Sequence, residues 1–195
     1  MSKPFSQACE NNKAPILSRL KPYLLDYDHV LEVGSGTGQH AVYFAQQLSH
    51  LIWQTSDRAQ NHAGIQKWLD DSQVNNVIAP LPLDLNEGWP IEQVPVIYTA
   101  NTMHIVSVEL VKMFFKGVAK HLAVEGLLCI YGPFNYEGEF TSDSNAHFDA
   151  HLKMNGPQSG IRDFEWICSL AQHVGLRLLE DFTMPANNRL LLFKR

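Results

Sequence analysis

The stretch Val30–Gly38, V-L-E-V-G-S-G-T-G, constrains the fold of this chain more than any other. Val30, Leu31 and Val33 form a short apolar run of the kind that makes a buried parallel strand. Gly34, Gly36 and Gly38 follow at alternate positions, and Ala41, Val42, Phe44, Ala45 and Leu48 then recur at helical spacing. The segment therefore reads strand, glycine turn, helix. Glycine accepts positive φ and lacks a Cβ, so a ligand can lie close to the backbone of such a turn. The helix behind it directs free N–H groups and a partial positive charge at whatever sits above. This is the pattern of a nucleotide-type crevice, with a ligand-free tight connection as the plainer alternative.

The spacing narrows the ligand. A dinucleotide fingerprint, G-x-G-x-x-G, needs its third glycine at position 39, which is Gln39, and no Gly-Lys-Ser/Thr follows to make a P-loop. What stands here is Glu-x-Gly-x-Gly-x-Gly. It resembles the first motif of class I S-adenosylmethionine-dependent methyltransferases.

The rest of the chain alternates strand and helix patterns. Ile16, Leu17, Leu20 and Leu24 predict a helix over 15–25, with Pro15 at its first position and Glu10–Lys13 as a cap. Strands are expected at 51–56, 77–84, 94–100 and 127–134. Pro80 and Pro82 place the second of these at a sheet edge, because proline cannot donate to a ladder. A weak helix is expected around Ala63–Leu69. A clear one spans 109–122, with Lys112, Lys116 and Lys120 on its solvated face. A third follows Asp163 as cap and stops at Gly175. Residues 176–184 and 189–194 read as a closing hairpin. Residues 135–160 are long and polar for a connection, which favours a lid or acceptor loop with a short helix at 144–154. The whole, 1–195, reads as one domain: a doubly wound α/β sheet of seven strands, mostly parallel with one antiparallel strand near the C-terminus. That is the Rossmann-like architecture of class I methyltransferases.

In such sheets ligands sit beyond the carboxyl ends of the strands. Asp57, after the second strand, can accept both hydroxyls of a ribose diol, or can act as a helix cap. Asp84 and Leu85 follow the third strand, where the methyltransferase resemblance implies contact with adenine. Glu32 lies inside the first strand, where an unpaired acid is costly to bury, and is expected beside the ligand's ammonium and sulfonium charges. The helix start at Gly38 suits its carboxylate. With Gly34, Ser35, Gly36 and Asn101 these make the expected cofactor set, and S-adenosyl-L-methionine the expected cofactor.

The chain also resembles, over nearly its full length, the methyltransferase-like 26 family, a group first defined as a domain of unknown function. The resemblance rests on Asn12-Lys13 with Pro15-Ile16-Leu17, Trp53-Gln54 with Ser56-Asp57, and Asn101 with His104. It continues through Tyr131-Gly132-Pro133, Ser144-Asn145, Phe148-Asp149, Arg162-Asp163 and Met184-Pro185-Ala186-Asn187-Asn188. The sequence departs from the family pattern at Asn11, Thr102 and Ser159.

Methyl transfer needs water excluded and the acceptor held at attack distance, and a hydroxyl or ammonium acceptor also needs a base. His104, just after the fourth strand, is the candidate base, with a structural histidine as the alternative, and Asn101 would orient cofactor or acceptor. Asn12, Tyr131, Asn135, Thr141, Asn145, Asp149 and Arg162 are the candidate acceptor contacts. His147 and His151 flank Asp149 at helical spacing, but Phe148 stands where H-E-x-x-H needs glutamate and no third ligand is evident, so no metal is expected. A net charge of −5 without a Lys/Arg-rich run gives no nucleic-acid footprint. No apolar run of about 18 residues spans a membrane, and the first residues lack a signal peptide's apolar core. Three widely spaced cysteines suggest reduced thiols and a cytoplasmic setting. The expected function is methyl transfer to a small molecule. A non-catalytic S-adenosylmethionine-binding regulatory or scaffold module is the alternative, and the oligomeric state, a homodimer included, is left open.

Overall fold

Strands that are apolar on both sides need cover on both faces, and the computed structural model, which describes residues 3–195, is built that way. Its helices are α1 (Gln7–Leu20), α2 (Gln39–Gln47), α3 (Ala59–Asp70), α4 (Val108–His121), α5 (Asp143–Asn155) and α6 (Phe164–His173). The strands are β1 (His29–Val33), β2 (Ile52–Asp57), β3 (Val77–Pro82), β4 (Val94–Ala100), β5 (Leu122–Gly132), β6 (Phe134–Asn135), β7 (Arg162–Asp163), β8 (Arg177–Met184) and β9 (Asn188–Lys194). Seven of them form one sheet in the order β3-β2-β1-β4-β5-β9-β8. Only β9 runs opposite to the other six. The short pair β6 and β7 lies apart from it.

Alternation along β1 divides the core. Leu31 and Val33 join Ile97, Leu128 and Ile130 beneath Val111, Phe114 and Val118 of α4 and Ile167 of α6. Val30 joins Trp53, Val96, Tyr98 and Cys129 beneath Ile16, Leu17 and Leu20 of α1 and Phe44 of α2. Strand β3 is an edge strand, as its prolines require.

Two boundaries and one cap differ from the sequence expectation. Helix α1 starts at Gln7, where the Ser6 hydroxyl accepts from the Cys9 amide (3.3 Å), so Pro15 lies inside the helix and Glu10–Lys13 are helical residues. The added turns carry mostly polar residues, and periodicity alone gives no signal there. Strand β5 reaches back to Leu122, which pairs with Val94 before a register shift at Val96. Asp163 does precede α6, but its side chain makes no capping bond.

One helical glycine is fixed by packing. A Cβ on Gly117 of α4 would lie 2.3 Å from the Trp89 ring, which stacks on His121 at 5.5 Å. Alanine normally stabilises a helix interior over glycine by up to ~1 kcal/mol. Gly117→Ala is expected to do the reverse, lowering the unfolding free energy by about 2 kcal/mol through overpacking. Urea unfolding checks this, and a stabilised variant would refute it.

Candidate active site

The carboxyl ends of the central strands are tied together by hydroxyls and by the glycine bend. The Gly34 and Ser35 amides donate to the Ser56 carbonyl (3.0 and 2.9 Å), and Ser35 Oγ accepts from the Ser56 amide (3.1 Å). Ser56 Oγ donates to the Glu32 carbonyl (2.6 Å) and Thr99 Oγ1 to that of Val33 (2.8 Å). Gly34, Gly36 and Gly38 all have positive φ (79°, 58° and 89°), so the bend needs glycine at each. A Cβ on Gly36 would meet nothing within 4 Å, whereas one on Gly34 would meet Thr102 Oγ1 at 3.0 Å. The backbone at Gly36 thus faces open space.

That space is a cavity of about 720 Å³ above the ends of β1 to β4. Gly34, Ser35, Gly36, Asp57, Asp84 and Leu85 line one part of it. Asn101 and His104 line the part beyond β4. Eight of the sequence-predicted residues are therefore brought to one hollow.

Asp57 is heavily engaged. Its Oδ2 accepts from the Gly36 amide (2.7 Å), and its Oδ1 from the Arg58 amide (2.7 Å) and Asn61 Nδ2 (2.8 Å). A carboxylate has about four lone-pair positions, so one remains while Asn61 stays in place. A diol taking two bonds from Asp57 must displace the Asn61 amide. Asp57 ties the bend to the start of α3 while facing the cavity, but it does not cap that helix: Arg58 holds the cap position and no side chain caps it. Asp84 Oδ1 accepts from the Asn86 amide (2.9 Å).

Two expected cofactor contacts lie off the cavity lining. Gly38 caps α2 against α3: a Cβ there would sit 3.2 Å from Ile65 Cα and 3.3 Å from Trp68 Cβ. Glu32 is buried behind the bend, where its Oε2 accepts from Trp53 Nε1 (3.1 Å). Burial pushes its carboxyl up to about 7, against hydrogen bonds from Trp53 and Ser35 that favour the charged form.

Asn101 is held at φ 55°, its amide donating to the Tyr131 carbonyl (2.8 Å). His104 is buried at the loop after β4, its ring edge-to-face with Phe148 at 5.4 Å. Burial, and then the Arg162 charge, push its imidazole down to about 4, so it is neutral at pH 7.

The candidate acceptor contacts are the main departure, for none of the seven lines the cavity. Asn12 is buried on α1, its Oδ1 2.6 Å from His40 Nε2. Tyr131 packs on the α1 side of the sheet, and burial raises its phenol to about 12. Asn145 donates to Thr141 Oγ1 (2.9 Å) and to the Asn187 carbonyl (3.2 Å), pinning α5 to the hairpin turn. Asp149 accepts from the Ile161 amide (2.8 Å) and pairs with Lys153 (2.6 Å). Arg162 donates to the carbonyls of Met103 (3.1 Å), Val106 (2.6 Å) and Gln158 (2.8 Å). Asn135 lies in β6, its Oδ1 buried without a hydrogen-bond partner. Asn145, Asp149 and Arg162 are thus taken up by backbone and side-chain partners that tie α5 and the segment after it to the rest of the fold. Among the described residues no group of three or more His, Cys, Asp or Glu is arranged for a metal.

Other lining residues had no sequence signal of their own. Cys9 and His40 enter the lining from α1 and α2, and Phe148 from α5. Burial, then the Lys13 charge, lower the His40 imidazole to about 4, and burial raises the Cys9 thiol. Of these, Phe148 belongs to the residues that carry the family resemblance.

The donor set suits a sulfonium nucleoside better than a pyrophosphate. At the start of α2 Gln39 Oε1 accepts from the Ser6 amide (2.6 Å), and the Gln39 amide donates to Thr37 Oγ1 (3.3 Å). The cavity meets the carboxylates of Asp57 and Asp84 and the open side of Gly36, whose amide Asp57 already takes.

Solved structures share this fold at low identity. The apo S-adenosylmethionine-dependent methyltransferase SibL superposes with a TM-score of 0.81 at 17% identity, over 96% of this chain and 55% of that one. An O-methyltransferase family protein from Burkholderia thailandensis gives 0.79 at 14%, over 96% and 59%. Human N-acetylserotonin methyltransferase in complex with SAM gives 0.82 at 13%, over 97% and 53%. The chain thus spans little more than half the length of these methyltransferases. The family described as "Protein of unknown function (DUF938)" matches residues 3–195, and the chain belongs to it.

Proposed function

We propose that this chain is an S-adenosylmethionine-dependent methyltransferase acting on a small molecule, as its resemblance to the methyltransferase-like 26 family implies. The carrying observation is the single cavity that joins the open glycine bend, Asp57 and Asp84 to Asn101 and His104. The fold shared with proteins titled as methyltransferases supports the reading, as does the net charge of −5, which offers nothing to a nucleic-acid acceptor.

Asp57 holds the ribose, Asp84 and the Leu85 amide hold the adenine, and the backbone at Gly34–Gly36 lies under the methionine portion. Bound S-adenosylmethionine supplies a methyl carbon already activated by its sulfonium. The protein's task is then alignment and exclusion of water. His104, kept neutral, can accept a hydrogen bond from an acceptor O–H or N–H and so orient its lone pair. An imidazole lowered to about 4 holds a full proton poorly at pH 7, so its part is orientation with partial proton acceptance.

Titration calorimetry with S-adenosylmethionine and S-adenosylhomocysteine tests binding, and methyl transfer from labelled S-adenosylmethionine across an acceptor panel tests turnover. His104→Ala is expected to leave cofactor affinity within about threefold while lowering kcat about 10²-fold or more. No heat with either nucleoside would refute the reading. Binding without product from any acceptor would favour a non-catalytic module.

A further inference from the structure

The walls beyond β4 differ in chemistry from those over β2 and β3. The charged lining residues, Asp57, Arg58 and Asp84, all belong to the β2 and β3 ends. On the β4 and lid side the lining is Asn101, Thr102, His104, Ile105 and Phe148, none charged at pH 7. Two charges packed behind this wall are already engaged, Arg162 by three backbone carbonyls and Asp149 by the Ile161 amide and Lys153, while Glu109, next to Leu110, is exposed and outside the lining. An ionic acceptor placed here would be desolvated without a counter-ion, which is costly.

The same wall exposes apolar surface. Ile105 is 57% exposed and Phe148 37%, although both border the cavity. The loop that carries Ile105 is tied down: Ser159 Oγ donates to the Ile105 carbonyl (2.6 Å), and the Gly160 amide to that of His104 (2.9 Å). Large apolar side chains left open on a pinned wall mark a recognition surface.

We propose that the acceptor is an uncharged molecule with a flat apolar face that packs on Phe148 and Ile105 and turns a neutral hydroxyl, amine or thiol toward His104. This rests on the methyl-transfer reading and names its substrate class. In the step, the acceptor's lone pair forms the bond to the methyl carbon. The carbon–sulfur bond breaks with its electron pair passing to sulfur, leaving the neutral thioether S-adenosylhomocysteine. The acceptor's proton leaves along its hydrogen bond to His104 and on to water. Phe148 is the specificity-determining side chain.

The test titrates protein saturated with S-adenosylhomocysteine with 2-naphthol and with 6-hydroxy-2-naphthoate, which share a ring and hydroxyl and differ by one carboxylate. The neutral probe is expected to bind at least tenfold more tightly. Phe148→Ala should weaken it at least tenfold while S-adenosylhomocysteine affinity stays within twofold, and Phe148→Lys should reverse the preference. Because Phe148 is partly exposed, both variants should keep the wild-type melting temperature, and Phe148→Leu should restore most of the affinity if either does not. Equal binding of the two probes, no binding of 2-naphthol, or an unchanged Phe148→Ala overturns the inference while leaving methyl transfer standing. Absence of S-adenosylhomocysteine binding would instead remove the methyl-transfer reading, and this inference with it.

Discussion

Asp57→Ala is expected to weaken S-adenosylhomocysteine binding by about a hundredfold, since each hydrogen bond to a charged group contributes on the order of 1.5–3 kcal/mol. The same carboxylate holds the Gly36 amide and Asn61, so part of any loss will come from a loosened bend. A double-mutant cycle separates the two. Adenosine and 2′,3′-dideoxyadenosine are titrated against wild type and Asp57→Ala. If the carboxylate grips the diol, the variant should discriminate poorly between them while wild type discriminates strongly. Equal discrimination by both proteins would show that Asp57 serves the bend alone. If the carboxylate does grip the diol, Asn61→Ala should improve adenosine binding, because it frees the lone pair a diol needs.

Glu32→Gln is expected to stabilise the ligand-free protein at pH 8 by on the order of 2 kcal/mol, with the gain vanishing toward pH 4.5. The Glu32 carboxyl is raised from 4.5 to about 7 by burial, so between these values the folded state binds a proton that the unfolded chain lacks. Its contribution is therefore present at low pH and lost as pH rises through about 7. His40 and His104, lowered from 6.5 to about 4, act in the opposite sense. Their neutral forms support the fold above 6.5, and that support is lost as pH falls toward 4. Near pH 5.5 two histidines outweigh one carboxyl, so wild-type stability should rise by about 1.4 kcal/mol per pH unit from these groups, and nearly twice that in Glu32→Gln. Urea unfolding from pH 5 to 8 measures both slopes. A difference between the proteins that does not vary with pH would mean that Glu32 keeps one protonation state throughout.

Much of the site's scaffold was legible in the residues. The run before Gly34, the alternate glycines and the apolar stripe of α4 depend on sterics and periodicity, which act over a few positions. Pro80 and Pro82 gave the edge position of β3 for the same local reason. The start of α1 was not legible, because its first turns carry little apolar pattern and are fixed by Ser6, by Gln39 reaching back to Ser6, and by Asn12 meeting His40. The side chains that line the cavity beyond β4 were not legible for a related reason. Arg162 and Asp149 look in sequence like ligand contacts, but the fold brings unpaired backbone groups to them first, and a buried carbonyl or amide must be satisfied.

By itself the sequence determined the succession of strands and helices, the glycine bend, and the carboxylates that end β2 and follow β3. Each follows from interactions between near neighbours in the chain. Only the tertiary structure decided which polar side chains face the cavity and which hold α5 and its flanks in place, and that Phe148 and Ile105 form an uncharged wall beside His104. A loop polar residue has the same local signature in either role, and the choice is made by which partner, a ligand or a distant backbone group, packing brings within hydrogen-bond reach.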